Sequence, residues 1–219
     1  MAVNAEAFLA ELVARSESVT LHVPMGTVFA LSKSFVDIPP IEIERLLDSP
    51  WREARAGALS IMDKQAAKKT TAPPRREELY DLYMRHLDLV DDWRLVDVSC
   101  RYTVGAYLFD KPRDPLYRLA RSTNEWHRRI AMVSTWYFIS QHDTADAFAV
   151  AAMLLQDDRP FVLSAVGWML REAGRKDQER LEFFLGQHAS TMPRVVLRSA
   201  TARMDPARRR MHLDDGRAR

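Results

Sequence analysis

The sequence predicts an all-α fold, an α-solenoid built by stacking two-helix repeats. Three observations carry that prediction. Apolar residues recur at i, i+3 and i+4 along most of the chain, while strict alternation of apolar and polar residues is rare. Glycine is scarce, at 7 of 219 residues, and proline moderate, at 11, so little of the chain reads as loop. Five helix starts recur at nearly constant intervals, the mark of a repeat. At 47% hydrophobic the chain carries enough apolar surface for a sizeable core.

Taken in order, the segments "NAEAFLAELVARS", "GTVFALSKSF" and "IEIERLLDS" read as helices of an atypical N-terminal cap over residues 1–48, with "DIPP" forcing a turn before the third. The repeated starts follow: "DSPWREARAGALSIM", "DDWRLVDVSCRYTV", "NEWHRRIAMVSTWYF", "DDRPFVLSAVGWML" and "STMPRVVLRSATARM". Each offers a polar residue suited to N-capping, then Trp or Pro, then a long amphipathic run. Aligned on Trp51, Trp93, Trp126, Pro160 and Pro193, the intervals are 42, 33, 34 and 33 residues. The long first interval holds the Pro-rich connection "KKTTAPPRREE" ahead of a helix at about 75–88, and later intervals hold short helices such as "PLYRLARS" and "TADAFAVAAMLLQ". A two-helix unit of this length fits a HEAT-like or irregular α-repeat. Residues 1–205 therefore read as a single HEAT-like repeat domain, and 206–219, with the run Arg208-Arg209-Arg210, as a basic C-terminal tail.

Composition excludes several functions. A single cysteine, Cys100, forms no internal disulfide and fits a reducing, cytoplasmic setting. No signal peptide and no membrane-length apolar run is visible. The six histidines never form an i, i+4 ligand pair, so neither a metal nor another cofactor is expected. The net charge of +2 is unevenly spread: residues 1–50 hold 7 acids and 3 bases, leaving +6 on the rest. From Pro193 onward there are eight arginines and three aspartates, an asymmetry of the kind that phosphate binding uses.

In repeat register Trp93 stands at offset 0, Asp97 at +4, Arg129 at +3 and Trp168 at +8. At about 100° per residue these offsets share one side of their helices, and neighbouring helices pack about 8–10 Å apart. Two tryptophans, a carboxylate and an arginine from consecutive repeats are thus expected to converge on one concave basic groove, while Trp126 and Trp136 read as core.

These residues resemble the AlkD-like alkylpurine DNA glycosylases, a family built of HEAT-like repeats. The likeness runs through "EARAGALSIMDK", "DDWRLVDVSC", "NEWHRRIAMV" and "SAVGWMLREAGRK", over about 51–176. The family's Trp, three residues, Asp pattern matches Trp93 and Asp97; its arginine after the next repeat's tryptophan matches Arg129; its Gly-Trp-hydrophobic-Leu-Arg-Glu segment matches Gly167 to Glu172. The resemblance implies a monomeric DNA glycosylase that excises cationic N3- or N7-alkylated purines from double-stranded DNA without flipping the base. On this reading Trp93, Asp97 and Trp168 are catalytic and face the lesion's deoxyribose, while Arg128, Arg129, Arg171, Arg175 and Lys176 hold the backbone.

The chemistry is consistent with the residue types. An N3- or N7-alkylated purine is cationic and already a good leaving group, so no general acid is needed, unlike the two-carboxylate glycosidases. A carboxylate beside the sugar stabilises an oxocarbenium-like transition state and orients water. Indole faces attract cationic character by about 0.5–2 kcal/mol each. None of the six lysines shares the register of Trp93 and Asp97, so Schiff-base lyase chemistry is not expected. The resemblance departs at the N-terminus. The family's Gly-hydrophobic-Gln/Thr turn is here Asp37-Ile38-Pro39-Pro40, and a tyrosine expected about nine residues earlier is Val28. Fewer polar contacts to the strand opposite the lesion follow. The alternative reading is a non-catalytic HEAT-like module that binds DNA structures or a protein partner, a role that has no need for the set Trp93, Asp97, Arg129 and Trp168.

Overall fold

A computed structural model describes residues 4–16 and 22–215. Among them are thirteen α-helices, one 3₁₀ turn, one π-helical segment and no strand, the all-α helical repeat class that the periodicity predicts. The chain divides into two compact units, Met1–Tyr107 and Leu108–Arg219.

The first unit holds α1 (Ala5–Ala14), α2 (Met25–Ser34), α3 (Pro40–Leu47), α4 (Arg52–Ala67), α5 (Pro73–Arg85), a 3₁₀ turn (Leu87–Leu89), α6 (Trp93–Cys100) and the π segment (Arg101–Ala106). Asn4 caps α1 by accepting from the Ala7 N–H at 2.9 Å. Pro40 opens α3, and Pro73 opens α5, because the first-turn N–H groups have no intrahelical partner to lose. The connection expected before a helix at 75–88 is therefore partly that helix's own first turn, and the helix ends at Arg85. The centre is α4, buried on nearly every side from Ala54 to Met62, as suits a core helix. It packs against α2, α3, α6 and the π segment. Gly57 lets α1 approach closely: a Cβ there would lie 2.3 Å from the Phe8 ring.

The second unit holds α7 (Asp114–Ala120), α8 (Glu125–Ser140), α9 (Ala145–Leu154), α10 (Pro160–Gly174), α11 (Gln178–His188), α12 (Arg194–Ala200) and α13 (Pro206–Asp215). Here α10 is central, flanked by α8 and α12. Their shared core includes Ile130, Val133, Val166, Leu170, Val196 and Leu197, all with no measurable exposure. Gly167 is a second close approach, since a Cβ there would lie 2.7 Å from the Ser199 Cβ. Asp146, buried, binds the Arg113 guanidinium and accepts from the Tyr117 hydroxyl at 2.5 Å, tying α7 to α9.

The five repeated starts fall where the alignment puts them, at α4, α6, α8, α10 and α12. Side-chain caps are made at two of them, by Asp92 and Asn124; at the others the N-cap positions are Trp51, Arg159 and Pro193, which make no such bond. The basic stretch from residue 206 forms α13 as far as Asp215, capped by Asp205, which accepts from the Ala207 N–H at 3.0 Å. Residues 216–219 of the expected tail lie outside the described residues. No helix among the described residues is long and apolar enough to cross a membrane.

Candidate functional site

In the first unit α6 carries the site's tryptophan and carboxylate. Its inner face, Leu95, Val96, Ser99 and Cys100, is buried. Trp93 and Asp97 lie one turn apart off that face: Trp93 is 39% exposed and Asp97 half-buried. The Arg94 guanidinium lies 5.5 Å from the centre of the Trp93 ring. Asp92 fixes the helix start by accepting from the Arg94 N–H at 2.8 Å, and it also pairs with Arg52 at 2.9 Å. Burial alone would raise the Asp92 carboxyl, but the bonds from Arg94 and the charge of Arg52 hold it below the usual carboxylate range.

Beneath α6, Tyr83 is fully buried and its hydroxyl meets the Ser99 hydroxyl at 3.0 Å. Burial and the neighbouring Cys100, Asp63 and Asp97 keep that phenol protonated, well above its ordinary value. Just past α6 the backbone widens into the π segment, where amides leave their regular helical acceptors. Asp63 of α4 supplies a replacement: its Oδ1 accepts from the N–H groups of Tyr102 at 2.7 Å and Thr103 at 3.1 Å. Burial pushes the Asp63 carboxyl up to about 6, against those two bonds and the charges of Lys64 and Arg101. Asp63 thus holds the far end of the element that carries Trp93 and Asp97. "EARAGALSIMDK" contains it, but nothing in the sequence singles it out.

In the second unit Trp168 is half-buried and meets Trp136 edge-on, ring centres 5.0 Å apart. Trp126 and Trp136 read from sequence as core residues, yet both are half-buried and Trp136 lines a hollow of about 290 Å³ with Ser140, Glu172, Arg175 and Lys176. The missed signal is helical: Trp136 stands seven residues, two turns, after Arg129 on α8.

The cations part into two groups. Arg171, Arg175 and Lys176, at the end of α10, line a hollow of about 260 Å³ with Arg203. Glu172 touches Arg175 at 2.9 Å, yet Arg175 stays 54% exposed, open to a ligand. Arg128 is engaged throughout. Its Nε and Nη2 grip Asp157 at 2.5 and 3.1 Å, and its Nη1 donates to the carbonyls of Ser122 and Thr123, each at 2.9 Å. This fork locks the start of α8 to the loop before α10. Arg129 is buried, and its Nη1 donates to the carbonyl of Phe161 and to the Ser164 hydroxyl at 3.1 Å. Among the described residues no group of three His, Cys, Asp or Glu is placed to hold a metal ion.

Comparison with known proteins adds three findings. The model of a family described as DNA alkylation repair enzyme matches residues 4–204. A solved structure described as "Predicted DNA alkylation repair enzyme from Enterococcus faecalis" is similar, with a TM-score of 0.64 and 16% sequence identity over 92% of this chain and 95% of that one, a likeness of fold. No curated protein matches the chain.

Proposed function

Because the chain belongs to the DNA alkylation repair enzyme family, we propose that it is a monofunctional DNA glycosylase that hydrolyses the N-glycosidic bond of cationic N3- or N7-alkylated purines in duplex DNA, with the base left stacked. The observation that carries this reading is the Trp93–Asp97 pair, set one turn apart off the buried face of α6, with Trp93 exposed and Asp97 half-buried. The exposed part of the indole is within reach of a ligand, and the carboxylate lies one turn away on the same helix.

In the proposed reaction the bond between the sugar's anomeric carbon and the purine nitrogen breaks, and its electron pair leaves with the purine, which becomes neutral. The sugar passes through an oxocarbenium-like state. Asp97 stabilises that positive charge and orients the water whose oxygen bonds to the anomeric carbon, the spare proton passing to solvent. Trp93 and Trp168 present indole faces to the cationic sugar and lesion. Arg171, Arg175 and Lys176 hold phosphates. Arg129 and Arg128 act by positioning: Arg129 through its bonds to Phe161 and Ser164 at the start of α10, and Arg128 through its grip on Asp157.

The test is base release from a duplex carrying N7-methylguanine, at saturating protein and single turnover. Asp97→Asn is expected to slow release by about 10²-fold or more, with DNA affinity nearly unchanged, because the carboxylate acts in the transition state. Equal rates for parent and variant remove Asp97 from the mechanism. A parent that binds alkylated DNA and releases no base favours the non-catalytic module.

A further inference from the structure

A hollow in the second unit lies between α12 and α13. It encloses about 710 Å³ and is lined by Arg194, Arg198, Arg209 and Arg210 with Asp214 as its one acidic residue. Crowding four guanidinium groups against one carboxylate in a concavity is unfavourable unless an anion enters, and the low-dielectric walls focus the field that draws it.

Two features dock α13 beside the hollow. Arg194 of α12 donates to the Leu213 carbonyl of α13 at 2.5 Å, and α13 is anchored inward by His212, 5% exposed. Arg208, the first of the three consecutive arginines, is paired with Glu182 at 2.5 Å. Arg198, Arg209 and Arg210 have no carboxylate partner among the described residues, and the Arg209 Nε is enclosed with no acceptor. Their charge is thus carried on α12 and α13 without a carboxylate partner among the described residues. Met204 lines both this hollow and the smaller one that holds Arg171, Arg175, Lys176 and Arg203, so the cationic surface continues from one to the other. Guanidinium forks match phosphate oxygens bidentately, and a run of them matches a polymer of phosphates better than a lone ion.

We infer that the arginine-lined hollow between α12 and α13 is a phosphodiester-binding site that grips the backbone of duplex DNA outside the damaged nucleotide. The inference rests on the DNA-repair reading above and adds a second point of attachment, one that serves undamaged duplex as well as damaged.

The experiment compares the parent with Arg198→Ala/Arg210→Ala, both exposed positions, and with Arg45→Ala on the first unit as a control. Thermal melting establishes that all three are folded. Affinity for an undamaged duplex is followed over about 50–200 mM salt. The double variant is expected to bind about tenfold more weakly at the low-salt end and to lose about 2 from the log–log salt slope, near 0.9 for each phosphate contact. The control keeps the parent's slope. Base release from N7-methylguanine duplex at saturating protein stays at the parent's rate. An unchanged slope in the double variant overturns the site. So does an unchanged DNA slope combined with pyrophosphate raising the melting temperature of the parent alone, which would make the hollow a free-phosphate site. A double variant that loses slope as expected, together with a parent that releases no base, leaves this site standing and sinks the glycosylase reading.

Discussion

Asp63 is where one carboxylate has the largest structural consequence. It holds two amides of the π segment, and burial pushes its pKa up to about 6 from an ordinary 3.8. A folded-state pKa above the unfolded one means that the protonated carboxyl is the form folding favours. The stability it contributes is full below pH 3.8 and is lost as pH rises through about 6. At 1.36 kcal/mol per unit the loss is at most about 3 kcal/mol. Urea unfolding of the parent and Asp63→Asn, repeated from pH 4 to pH 7, measures it. The variant, with no proton to lose, is expected to gain on the parent from pH 4 to about pH 6 and then level off. A parent–variant difference that ignores pH would show that Asp63 does not titrate there. Arg128 makes the same point about bonds: all its nitrogens are taken by Asp157, Ser122 and Thr123. Arg128→Ala, which leaves Asp157, with a side chain only 5% exposed, held by the Arg159 N–H alone among these bonds, is expected to cost stability of about 1–3 kcal/mol, read by the same denaturation.

At the scale of elements, glycines set how closely helices stack. Gly167 has no room for a Cβ: Ser199 Cβ would stand at 2.7 Å and the Val196 carbonyl oxygen at 3.2 Å. The glycine before Trp168 therefore has a packing role, bringing α12 onto α10. Gly167→Ala is expected to destabilise the protein by about 1–3 kcal/mol, the range for overpacking. Adding Ser199→Gly should return part of that loss, since it removes the Cβ that the new methyl meets. If the two changes prove additive in thermal melts, the contact is not the cause. The π segment shows the complementary device. It widens a helix by a residue and depends on another helix to receive the freed amides.

Over the whole molecule, charge divides with the units: positions 1–107 hold 13 basic and 16 acidic residues, positions 108–219 hold 19 and 14. DNA attraction should follow that division. Arg171→Ala/Arg175→Ala is expected to lower the salt slope of duplex binding by about 2. Arg15→Ala/Arg45→Ala in the first unit, where both arginines pair with glutamates of their own helices, is expected to leave it unchanged. Equal effects of the two pairs would mean that binding senses net charge alone.

The sequence by itself determined what depends on neighbours within a turn or two. Helical period placed the helices, the 33–42-residue recurrence placed α4, α6, α8, α10 and α12, and i, i+4 spacing put Trp93 and Asp97 on one face of α6. These follow from backbone geometry that every residue shares. Only the tertiary structure decided which side chains are already engaged. Asp63 meets amides 39 and 40 residues away, Arg128 meets Asp157 29 residues away, and Trp136 is drawn from an expected core to the edge of Trp168. The same holds for the arginines at the C-terminus. Their run was plain in the sequence, but whether it is a solvated tail or the wall of a hollow depends on Arg194 and His212 docking α13. Such contacts join segments distant in the chain, and their geometry is set by how helices pack, to which local spacing is blind.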